Sequence, residues 1–255
     1  MKEKVVEINN LSFKYNNKLI LDDINLEVNK GDFVAFIGPN GSGKSTLLKL
    51  LVGVLSFKMG EIKLLDQPIS KFNNWTKVGY ISQKARDFNS SFPATVKEVV
   101  GANLYSKMGI FKFLTNKLSK KVEQALELVN MLEYKNRTIG ELSGGQQQRV
   151  FIARTLVNDP EIILLDEPLV GVDAQAQDDF YQLIGRLNRK LEITIIMISH
   201  DINMISSQAD KIVCFSDQKL YLHQTEEFDY LAYLNQIKTS NSILVPEHNH
   251  QVVNT

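Results

Sequence analysis

The chain has 255 residues, 44% of them apolar and 23% charged, which suits one large domain or a core with an inserted lobe. Lysine plus arginine equals aspartate plus glutamate at 29 each, so no net basic charge points towards nucleic acid. The single cysteine, Cys214, excludes an internal disulfide and fits a small core residue in a reducing compartment. No signal peptide is expected, because residues 1–10 are polar and charged, and the longest apolar runs, such as Ile193 to Ile198, are far shorter than the roughly 20 residues that span a bilayer.

Val5 to Leu11 and Leu19 to Val28 alternate apolar and polar positions, predicting antiparallel strands with polar turns at Asn16-Asn17 and Lys30-Gly31. Between them Tyr15 offers a flat aromatic face that suits a purine, although an aromatic in a hairpin is more often ordinary cover. Phe33 to Ile37 reads as a short buried strand. It leads into Gly38, Pro39, Asn40, Gly41, Ser42, Gly43, Lys44, Ser45 and Thr46, which satisfy the phosphate-loop pattern GxxxxGK(S/T). Glycines let the backbone wrap phosphate oxygens at a helix N-terminus, Lys44 would reach the β- and γ-phosphates, and Ser45 would ligate magnesium. Leu47, Leu48, Leu50, Leu51 and Val52 then recur at helical spacing, with Gly53 as a stop.

Gly60 to Leu65 and Lys77 to Ser82 predict two more strands, the second ending in Gln83 before a polar segment, Lys84 to Ser91. Thr95 and Glu98 have capping-box spacing, and Leu118 to Leu132 carries one apolar stripe, Val122, Ala125, Leu126, Val129 and Leu132, of an amphipathic helix. Ser143 and Gln146 repeat the capping box, with Gly144 and Gly145 between them bringing backbone close to any anion at that helix start. Glu161 to Leu165 predicts a buried strand that presents two adjacent carboxylates. In a phosphate-loop ATPase Asp166 would help hold magnesium and Glu167 would polarise an attacking water. A last buried strand, Ile193 to Ile198, ends at Ser199-His200-Asp201, and strand ends of this kind are where open α/β sheets bind ligands.

With these motifs in order, the sequence resembles the ATP-binding subunits of ABC transporters over roughly residues 3–235. The resemblance rests on Tyr15, the 38–46 loop, Gln83, the signature Leu142-Ser143-Gly144-Gly145-Gln146, Asp166-Glu167, Asp173 and His200. It implies an α/β phosphate-loop ATPase core with an N-terminal antiparallel β layer and an inserted helical lobe at about 86–155, followed by a tail at 236–255. It implies ATP and Mg2+ as cofactors and a homodimer sandwiching two nucleotides. Tyr15 would stack on adenine, and Ser45, Gln83 and Asp166 would surround magnesium. Glu167 would act as base and His200 would contact the γ-phosphate. Ser143 and Gly145 would reach the γ-phosphate bound by the partner, and Asp173 would lie in the dimer-interface loop. After Pro168 the family often has a small hydroxyl residue; here Leu169-Val170 are apolar, which implies altered packing rather than lost activity.

The implied partners are an integral membrane permease and an extracytoplasmic metal-binding protein, with the chain at the cytoplasmic face of the membrane. Phe88, Phe92, Pro93 and Val96 would supply apolar contacts to a helix of the permease. The segment Phe92 to Val100, with Gly101 and Gly109 to Leu114, is similar to metal-cation importers, especially the zinc branch, with manganese and iron–siderophore importers as alternatives. His248 and His250, beside Glu247, could bind zinc but are more often inert in a tail. A soluble ABC-type ATPase of iron–sulfur assembly is the reading from another class. DNA-repair relatives need a long coiled coil between their motifs and translation relatives need two cassettes, and neither is present.

Overall fold

The computed structural model describes residues 2–83, 93–107, 115–169 and 172–228. The expectations for Lys84 to Ser91, Phe88, Phe92, Gly109 to Leu114, Val170, Gly171 and the tail with Glu247, His248 and His250 lie outside the described residues.

Alternation of apolar residues produces the first layer. Strands β1 (Lys4–Tyr15) and β2 (Lys18–Asn29) pair antiparallel, and Val6, Ile8, Leu21, Ile24, Leu26 and Val28 are all buried. Asn16 turns the chain at φ 51°, a left-handed conformation that asparagine tolerates. Strand β3 (Phe33–Ile37) is buried at every residue, as expected of a strand covered on both faces. Helix α1 (Lys44–Leu51) ends as the leucine spacing predicts: Gly53 lies at φ 69°, Gly53 N–H donates to Leu50 O at 3.0 Å and Val54 N–H to Lys49 O at 3.0 Å. These two bonds close a helix through a left-handed residue. Strands β4 (Met59–Leu64) and β5 (Gln67–Pro68) complete an antiparallel sheet ordered β2-β1-β4-β5.

The chain continues through β6 (Val78–Ile81), α2 (Val96–Gly101), α3 (Asn116–Leu128), α4 (Gly144–Leu156), β7 (Ile162–Asp166) and α5 (Ala174–Leu191). It returns with β8 (Thr194–Ile198), α6 (Ile202–Ser206), β9 (Lys211–Ser216) and β10 (Lys219–Gln224). The described residues fall into two compact units, one built from residues up to Asn73 and from Thr194 onward, the other from Asn74–Ile193.

In the first unit β3 runs parallel to both β8 and β9, with β10 antiparallel on β9. The start of β3 is pinned by acids. Buried Asp32 accepts from Lys211 Nζ at 2.7 Å, and Asp210 accepts from Phe33 N–H at 2.8 Å. Cys214 sits within β9, where burial pushes its thiol up to about 12, the behaviour of an inert core residue. The β9–β10 hairpin carries no turn signal in the sequence. Asp217 and Gln218 both take positive φ, 49° and 68°, without the Asn-Gly or Asp-Gly pair that usually marks such a turn.

In the second unit β6 and β7 pair in parallel, and α2 and α4 both begin with complete capping boxes at Thr95/Glu98 and Ser143/Gln146. Helix α3 differs from its predicted span. It starts earlier, capped by Thr115, and stops at Leu128 rather than Leu132. Asn130 takes φ 58°, Asn130 N–H donates to Glu127 O at 3.1 Å and Met131 N–H to Leu126 O at 2.8 Å, so an asparagine supplies the left-handed stop usually given to glycine. Val96 also departs from expectation. It is fully buried and belongs to the core of its unit, so it offers no surface to a membrane partner, whereas Pro93 is exposed.

Gly79 sets how closely β6 and α4 approach. A Cβ there would lie 2.0 Å from Thr155 Cγ2, and Thr155 is buried with its hydroxyl bonded to Phe151 O at 3.0 Å. A β-branched side chain so held has little room to turn away. Gly79→Ala is therefore expected to destabilise the fold by about 1–3 kcal/mol. Thr155→Ser, which removes the colliding methyl, should recover most of that loss. Urea unfolding of the single and double variants measures both effects, and a stable Gly79→Ala would show that the two elements separate freely.

Candidate active site

The first unit supplies a glycine-rich loop between a strand and a helix. It leaves the C-terminal end of β3 at Gly38 (φ 143°) and enters α1 after Gly43 (φ 107°). A Cβ on Gly38 would meet Phe215 O at 2.6 Å, and one on Gly43 would meet Leu21 Cδ2 at 2.8 Å, so conformation and space both demand glycine at these two places. Between them Pro39, Asn40 and Gly41 are exposed. Lys44 is only 4% exposed, and its Nζ donates to Gly38 O at 2.7 Å and Pro39 O at 2.8 Å. Ser42 Oγ is buried without a hydrogen-bond partner. Ser45 and Thr46 sit half-buried in the first turn of α1. A buried ammonium, a hydroxyl without a partner and a helix N-terminus together fit phosphate oxygens, which would give the Ser42 hydroxyl a partner.

Two more residues belong to this unit. Tyr15, at the end of β1, is 43% exposed and braced by a T-shaped contact with Phe13 at 4.9 Å. Phe36 pairs with Ile198, and Ser199 N–H donates to Phe36 O at 3.3 Å, which brings exposed His200 to the sheet end from which the loop departs. Asp201 next to it caps α6 by accepting from Met204 N–H at 3.0 Å.

The second unit, taken by itself, carries two adjacent carboxylates. Ile81 pairs with Leu165, so the chain beyond β6 and the chain beyond β7 leave side by side. Asp166, the last residue of β7, is 5% exposed and accepts from Tyr80 Oη at 3.3 Å. Burial, and then the charge of Asp166, push the Tyr80 phenol well above its ordinary range, so it stays protonated and donates. Glu167 takes φ 48°, uncommon for a residue with a side chain, and its Oε2 accepts from Gln83 Nε2 at 3.2 Å.

The signature lies at the start of α4. Ser143 Oγ accepts from Gln146 N–H at 3.3 Å, and Gln146 Oε1 accepts from Ser143 N–H at 3.0 Å, so the Gln146 side chain is engaged in the cap. Ser143 and Gly144 are exposed, and Gly145 approaches α5, a Cβ on it lying 3.2 Å from Ala176 Cβ. Asp173 caps α5 by accepting from Ala176 N–H at 3.0 Å, so the signature and the Asp173 turn are neighbours. Leu169, after Pro168, is buried. Tyr80 is the residue that sequence reasoning missed. Its partner is 86 positions away, and no local spacing marks it.

A family model described as ABC transporter matches residues 21–170, more than half of the chain. The chain belongs to this family and is an ABC transporter ATPase. The cassette is 46% identical over 231 residues to the zinc uptake system ATP-binding protein ZurA of Listeria monocytogenes, covering 90% of each chain. It is 37% identical over 237 residues to the manganese transport system ATP-binding protein MntB of the same species, covering 89% of this chain and 95% of that one. Among solved structures it is similar, with a TM-score of 0.70 and 28% identity, to a dimeric ATP-binding cassette in a post-hydrolysis state bound to ADP and phosphate, covering 88% of this chain and 100% of that one. As an ABC cassette it binds ATP and works with a membrane permease. Among the described residues no helix is long and apolar enough to cross a membrane.

Proposed function

We propose that this cassette drives uptake of a divalent metal cation, zinc, through a separate membrane permease supplied by an extracytoplasmic metal-binding protein. The observation that carries the cargo is the 46% identity over 90% of the chain to a zinc uptake ATPase, against 37% to a manganese one. The cassette would work as a homodimer at the cytoplasmic face, with the helical segment of about 86–155 as the inserted lobe that meets the permease.

In this reading Tyr15 stacks on adenine while the loop amides, Ser42, Lys44 and Thr46 hold the phosphates. Ser45, Gln83 and Asp166 offer hard oxygen donors, the chemistry that magnesium selects. With the Gln83 nitrogen on Glu167, its amide oxygen is the atom left for a cation. The bound ion would supply neutralisation of the phosphate charge. Glu167 takes the proton of the attacking water, and its backbone conformation together with Gln83 restricts where that carboxylate points. His200 donates to the γ-phosphate. Ser143 and Gly145 reach the γ-phosphate held by the second subunit, and Asp173 lies in the loop joining the two sites. A site sharing donors between two subunits is complete only when they close, which couples hydrolysis to closure.

The test compares cellular zinc, manganese and iron by elemental mass spectrometry under metal limitation. Cells lacking the chain are set against cells carrying wild type or Lys44→Ala. Zinc alone should fall, and only wild type should restore it. A fall in manganese or iron instead would keep the ATPase and overturn the cargo, and no change in any metal would remove metal import.

A further inference from the structure

Strand β6 reaches both carboxylates at the end of β7. Tyr80 pairs with Leu164, and because side chains alternate along a strand, Asp166 lies on the same face as Leu164. A long side chain leaning along the strand can cover that offset, and Tyr80 Oη sits 3.3 Å from Asp166 Oδ2. Three residues further on, Gln83 meets Glu167 at 3.2 Å. The family reading assigns a role to Gln83 and to both acids, and it leaves Tyr80 without one.

We propose that Tyr80 is a positioning residue for the magnesium carboxylate, its hydroxyl holding Asp166 in the one orientation that the cation meets. The proposal rests on the reading of Asp166 as a magnesium ligand. A carboxylate 5% exposed at a strand end has little water to orient it, so a fixed donor such as Tyr80 Oη helps set which way its plane faces. The phenol suits this task because it offers one donor, 3.3 Å from the acid, on a stiff ring. Removing it leaves the acid and its burial in place but takes away one donor that orients the carboxylate, which should weaken the cation specifically.

Tyr80→Phe removes the hydroxyl alone. The purified full chain is titrated with Mn2+ in the presence of a non-hydrolysable ATP analogue and followed by electron paramagnetic resonance. Its ATPase rate is also measured against Mg2+ concentration. Tyr80→Phe should weaken Mn2+ binding about tenfold and raise the Mg2+ needed for half-maximal rate by a similar factor. Nucleotide affinity in EDTA and the unfolding temperature should stay as in wild type. Unchanged metal dependence would overturn the proposal. So would a parallel fall in metal-free nucleotide affinity and unfolding temperature, the mark of a packing role. Asp166→Asn separates the two readings. Loss of Mn2+ in Asp166→Asn but not in Tyr80→Phe removes Tyr80 alone, whereas retained Mn2+ in Asp166→Asn removes the metal reading of Asp166 and the proposal with it.

Discussion

Glu167→Gln should bind ATP normally and hydrolyse it about 10²- to 10⁴-fold more slowly, the range that a positioned general base contributes. The substitution is nearly isosteric, and the neighbouring geometry absorbs it. Gln83 Nε2 now donates to Glu167 Oε2, and the oxygen of a glutamine amide can accept the same bond. The left-handed backbone at φ 48° makes no demand that separates glutamate from glutamine. Asp166 keeps its bond from Tyr80, so the proposed metal site is untouched. What disappears is the atom proposed to take the proton. In the proposed dimer, which would close on ATP and open after hydrolysis, the variant should accumulate closed when ATP is added. Turnover assays with size-exclusion chromatography in ATP read both effects. Turnover close to wild type would remove Glu167 from the role of base.

Lys44→Ala should fail earlier, at binding. A charge-assisted hydrogen bond is worth about 1.5–3 kcal/mol, so losing the ammonium from the phosphates should weaken ATP binding roughly ten- to hundredfold. The same substitution should barely move the unfolding temperature. Lys44 holds Gly38 O and Pro39 O, and Pro39 is exposed, so water can replace the lost donor there. A large loss of affinity without loss of stability is the pattern that separates a phosphate ligand from a structural lysine. Titration with a fluorescent ATP analogue and a thermal melt decide it, and unchanged affinity would count against the loop.

The sequence by itself determined the features governed by near neighbours in the chain. The Gly38 to Thr46 loop, the capping boxes at Thr95 and Ser143, the stop at Gly53 and the buried strands ending in Asp166 and before His200 all follow from spacing within a few residues. Glycine, hydroxyl and carboxylate act on backbone groups one turn away, so their effect is written locally. Tertiary structure decided the rest, because those choices depend on residues far apart in the chain. Gly43 must be glycine because Leu21 packs over it, and Gly79 because Thr155 does. Asn130 ends α3 four residues early, and Asp217-Gln218 turns a hairpin without glycine; packing of the flanking elements overrides weak local preferences. Val96 reads as a surface contact in sequence and is core in the fold. Tyr80 meets Asp166, 86 positions away, only because β6 and β7 run side by side, and pairing between distant strands leaves no periodic trace in either one.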